Sequence, residues 1–130
     1  MKMTTPNKYK GEIKERLGDK ERVFKLTFDS IVNIETRTGK SIMDITNQIA
    51  INKYAMKDIV IVLHEGLIST GLKITQPSVG DMIMQSGLVK SSLIAANLLT
   101  TIFTGEQSED EDSPLEQGEN EQQSTQSKNT

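Results

Sequence analysis

The chain of 130 residues has no cysteine and no tryptophan. The first absence excludes disulfides, thiolate metal sites and a cysteine nucleophile, and it suits a reducing compartment. Aromatic residues make up 4% of the chain, which is thin provision for the stacking platforms that hold single-stranded nucleic acid. His64 is the only histidine, so no two-histidine metal pair exists, and no carboxylate stands three or four residues from it as a helical co-ligand. No apolar run reaches the ~18 residues of a membrane span. Nor does the N-terminus carry the apolar block of a signal peptide, so the expectation is a soluble intracellular protein.

What is present divides in two. Residues 1 to 105 carry 14 Lys and Arg against 10 Asp and Glu, a balance of +4, whereas residues 106 to 130 carry 1 against 8, a balance of -7. From Glu106 onward Leu115 is the only aliphatic side chain. Such a segment cannot bury enough apolar area to offset the entropy of ordering, and a disordered acidic tail is expected there. The predicted organisation is a flexible N-terminus over 1-7, one domain over 8-105 and the tail over 106-130.

Within the domain, Tyr9 to Leu17 reads as a strand with Tyr9, Ile13 and Leu17 on one face. Val23 to Phe28 reads as another, Phe24, Leu26 and Phe28 alternating with Lys25 and Thr27. "GDKE" between them supplies turn chemistry, which predicts a hairpin whose apolar face must rest on helices. A first helix is expected from an N-cap at Asp29 to Thr38, and a short second helix from Ile42 to about Gln48. A third, Met56 to Thr70, has an apolar face wide enough for a central position. The fourth has Thr75 as N-cap, Pro77 in its first turn and a stop at Gly87, and the last runs from Leu88 to Phe103, mostly buried. The fold class is α+β, mainly α: an N-terminal β-hairpin followed by about five short helices and the acidic tail.

"ETRTGKSI", Glu35 to Ile42, contains the Gly-Lys-Ser that closes a nucleotide-binding P-loop. The full loop needs another glycine five positions earlier, where this chain has Ile34, and a strand running into it. Phe28, Ile31, Val32 and Glu35 instead recur at helical spacing. Gly39 is therefore read as a helix stop and Ser41 as the cap of the next helix, with Asp44 three residues on in a capping-box-like arrangement. Glu35, Gly39, Ser41 and Ile42 form a structural corner.

No catalytic, cofactor-binding or metal-ligating constellation emerges. Asp58 and Glu65, seven apart, read as ordinary solvated carboxylates, and His64 as a polar-side helix residue turned away from Glu65. The basic residues of the hairpin alternate with Glu12, Glu15, Asp19 and Glu21, a mixed-sign edge rather than a nucleic-acid stripe. Met82 and Met84 straddle Ile83 and cannot both face one core. Met82 is assigned to the core and Met84 to the surface, and Met82, Met84 and Leu88 mark the candidate partner-binding patch.

In order, "FKLTFDSIVNIETRTGKSIMDI", "IVLHEGLISTG" and "QPSVGDMIMQSGL" with a small-residue-rich closing helix resemble the tail assembly chaperones of the gene-transfer-agent type found in long-tailed phages and prophages. The matching marks are Ile34 and Glu35, Gly39, the Ser41-Ile42 step, and Gly66-Leu67. The resemblance covers residues 8 to 103 and implies a nonenzymatic factor of the host bacterial cytoplasm, without cofactor, nucleic acid or membrane. It would hold the tape-measure protein soluble during tail assembly, with the tail tube protein and a second copy of the chain as further candidate partners. The alternative is a structural tail-tube or tail-completion component retained in the virion.

Overall fold

A computed structural model describes residues 11–104. The expectations for residues 1-7, for Tyr9 and for the acidic tail lie outside them. The order is β1 (Glu12–Leu17), β2 (Lys20–Lys25), α1 (Phe28–Thr38), α2 (Ile42–Ala50), α3 (Met56–Ile68), α4 (Gln76–Ser86) and α5 (Leu88–Thr104). This is the expected hairpin and five helices.

The strands pair antiparallel around the two-residue loop Gly18–Asp19, with Ile13 opposite Phe24 and Leu17 opposite Lys20. Alternation puts Ile13, Leu17 and Phe24 on one face, and Leu17 and Phe24 are fully buried. That face rests on α3, α4 and α5, the support that a lone hairpin lacks. The Gly18 N–H donates to Ser86 Oγ at 2.7 Å, fastening the hairpin tip to the end of α4. Met82, half-buried against the core, packs over the same tip.

Strand β2 ends earlier than expected, and the helix after it begins earlier. The N-cap is Thr27 rather than Asp29: Thr27 Oγ1 accepts the Ser30 N–H at 3.1 Å, and the Thr27 N–H donates back to Ser30 Oγ at 3.2 Å. This reciprocal box satisfies two orphan donors at once, which a cap at Asp29 would not. Phe28 consequently leaves the strand face and stands 78% exposed in the first turn of α1.

The core gathers around α3, whose Ile59, Val62, Leu63 and Leu67 are buried together with Ile34, Ile45, Val79, Ile83, Leu98 and Leu99. Gly66 is where α3 meets α5 and β2. A Cβ there would lie 2.6 Å from Leu98 Cδ2 and 3.5 Å from Phe24, so only a residue without a side chain allows this approach. Thr75 caps α4 by accepting the Ser78 N–H at 3.2 Å, and Pro77 sits in its first turn, as expected. Among the described residues no single helix is long and apolar enough to cross a membrane, and α4 with α5 reaches that length only across a 118° bend.

Candidate functional site

The corner residues converge. Gly39 ends α1 in the left-handed region at φ 73°, and its N–H donates to the Glu35 carbonyl at 2.9 Å. Ser41 Oγ accepts the Asp44 N–H at 3.0 Å. The reciprocal half of a capping box is not formed by Asp44; Glu35 Oε2 reaches across from α1 and accepts the Ile42 N–H at 3.0 Å. Glu35 thus closes one helix with its carbonyl and opens the next with its carboxylate, while Ile42 is buried beneath them. The first bond satisfies a carbonyl that the end of α1 leaves open, and the other two satisfy N–H groups left open at the start of α2.

Lys40, the lysine of the Gly-Lys-Ser, is engaged inside the protein. Its Nζ donates to Asp58 Oδ2 at 2.6 Å and to Gln48 Oε1 at 3.1 Å. The Asp58 side chain is 1% exposed, which corrects its reading as a solvated carboxylate. Its other oxygen, Oδ1, is buried without a hydrogen-bond partner. Asp58 lies in the first turn of α3, where Ala55 offers no side-chain cap, so the positive end of the helix adds to the field that holds the charge.

Glu65 needs the same correction. Arg37 Nη1 donates to Glu65 Oε2 at 2.6 Å and to His64 Nδ1 at 3.1 Å, Arg37 Nη2 reaches Gln76 Oε1, and Asn33 Nδ2 lies 3.4 Å from Glu65 Oε1. Arginine has no acceptor, so His64 Nδ1 must accept, and Nε2 carries the proton it donates to the Ile74 carbonyl at 2.9 Å. His64 and Glu65, expected to diverge, are drawn to one guanidinium. These charges lock α1 and the start of α4 onto α3. Sequence spacing pointed to the shared face of Asp58 and Glu65, but the partners lie 18 and 28 residues away in sequence, where no local pattern reaches.

Among the described residues no group of three or more His, Asp or Glu is placed to hold a metal. The hairpin's charges are mixed in sign: Lys14 pairs with Glu21 at 3.4 Å and Arg22 with Asp19 at 3.7 Å.

The candidate partner residues separate. Met82 is turned toward the hairpin, whereas Met84 is 72% and Leu88 37% exposed. The larger apolar surface continues along α5, a helix expected to be mostly buried. Ser91, Ser92, Ile94, Ala95, Leu98 and Leu99 face the core, while Val89, Leu93 and Phe103 are 71%, 59% and 48% exposed. The periodicity was visible in sequence; that the fold covers only one of the two apolar faces was not. A second, smaller patch is formed by Phe28 and Val32 on α1.

Residues 10–105 match the model of a family described as phage tail tube protein, GTA-gp10. Neither a curated protein nor a solved structure matches the chain.

Proposed function

Because this chain belongs to the phage tail tube protein family GTA-gp10, we propose that it is a tail-tube or tail-completion component retained in the finished particle. The family match over residues 10–105 carries this reading and favours it over the chaperone role that the resemblance first suggested. The chemistry agrees: a nonenzymatic protein acting through contacts needs rigid placement of exposed apolar surface, and the ion pairs on α3 supply the rigidity. The chain would be made and assembled in the cytoplasm of the bacterial host.

An assembly chaperone for the tape-measure protein is the second reading. The observation that favours it is the apolar surface of Met84, Leu88, Val89 and Leu93, which offers the kind of anchors an amphipathic helix meets at i, i+3, i+4 and i+7. Mass spectrometry of purified particles separates the two. Stoichiometric presence supports the structural role. Absence from particles, with loss of tape-measure solubility when the gene is deleted, would overturn it in favour of the chaperone.

A further inference from the structure

On α5, the positions Val89, Leu93, Ala96, Thr100 and Phe103 follow one another at spacings of four, three, four and three. This is the seam of a helix that packs along its length against another helix. Val89, Leu93 and Phe103 are exposed and Ala96 is half-buried. The Thr100 hydroxyl donates within the helix to the Ala96 carbonyl at 2.7 Å, so it brings little unmet polarity to the seam. With Met84 and Leu88 at one end, the exposed apolar side chains present on the order of 500 Å², the size of the largest patches on monomers and often functional.

We propose that this seam pairs antiparallel with the same seam of a second copy, the two-fold axis passing at Ala96. Val89 then faces Phe103 of the other helix, Leu93 faces Thr100, and the small Ala96 meets itself where the helices come closest. Three features select this occupant. Together with Met84 and Leu88, the seam side chains supply more than half of the ~800 Å² per partner that a standard interface buries, and the flanking Lys90 and Asn97 supply a polar rim. Lys90 is the only charged residue of α5, so self-pairing buries no like charges. Antiparallel pairing sets each Lys90 beside the C-terminal end of the other α5, where helix carbonyls concentrate negative charge. A parallel pair would instead set each Lys90 beside the N-terminal, positive end of the other α5.

Such an interface is isologous and closes on itself as a dimer. It stands independently of the tail-component reading, which particle composition tests. The chain has no cysteine, so a single Ala96→Cys in the full-length protein can form a disulfide only between copies. Expected results are a dimer in sedimentation at micromolar concentration and rapid oxidative cross-linking at position 96. A control Thr36→Cys on the outer side of α1 should not cross-link. Leu93→Asp should weaken association more than about tenfold, with melting of the monomer unchanged because Leu93 is exposed. A monomeric wild type, cross-linking no faster at 96 than at 36, or a Leu93→Asp protein that remains dimeric would each overturn the proposal.

Discussion

Replacing Lys40 by methionine keeps most of the side-chain length and removes the ammonium that holds Asp58. The carboxylate is 1% exposed and the lost contact is 2.6 Å long. Its other oxygen already has no hydrogen-bond partner, so the charge would be left buried without a counterion. Breaking a buried pair from one side costs about 3–5 kcal/mol. The Lys40 side chain is 32% exposed, so water reaches the vacated end and the cost falls below that range, to about 2–3 kcal/mol. For a domain of this size that lowers the melting temperature by roughly 10–20 °C. Urea denaturation followed by circular dichroism gives the free energy, and the double variant Lys40→Met with Asp58→Asn gives the coupling. Removing the charge from Asp58 should recover at least ~1 kcal/mol of the loss. The reasoning is refuted if Lys40→Met costs under about 0.5 kcal/mol, or if the two changes are simply additive.

The remaining predictions concern single positions. Arg37→Lys keeps the charge but loses the fork that serves Glu65, His64 and Gln76 together, and should cost about 1–2 kcal/mol in the same denaturation assay. Gly66→Val drives a branched side chain into Leu98, and an overpacking loss of about 2–3 kcal/mol is expected; Leu98→Val in the same chain should recover part of it. Gly39→Ala meets no atom within 4 Å, so its cost is conformational alone, about 1–2 kcal/mol. A loss well beyond that would point to a contact at the corner that the structure does not contain.

Helix positions were legible because their signals are local. Thr75 with Pro77, Gly39 and Ser41 act on amides within a few residues, and the chain spells them out. Thr27 is not legible as the cap because its box partner is Ser30, a weaker signal than a glutamate at that place, and because Phe28 continues the strand alternation in sequence. Asp58 and Glu65 were misjudged for a different reason. A carboxylate's burial is decided by whether a cation arrives from elsewhere, and Lys40 and Arg37 arrive only once α1 has docked on α3. The two apolar faces of α5 are similar in composition, so sequence could not say which one the body covers. Leu93 and Leu98 look alike until the fold separates them.

The uncapped start of α3 bears on the order in which the chain assembles. Ala55 provides no side-chain cap, and what steadies that first turn is Lys40, carried on the corner that precedes it. The corner closes through bonds spanning seven residues or fewer, and none of them needs a residue of α3. The Gly-Lys-Ser stretch thereby acts as a landing point for the helix made after it. A kinetic difference follows: Glu35→Ala should slow refolding, whereas Lys40→Met should mainly speed unfolding. The reverse pattern in stopped-flow measurements would place the docking of α3 ahead of the corner.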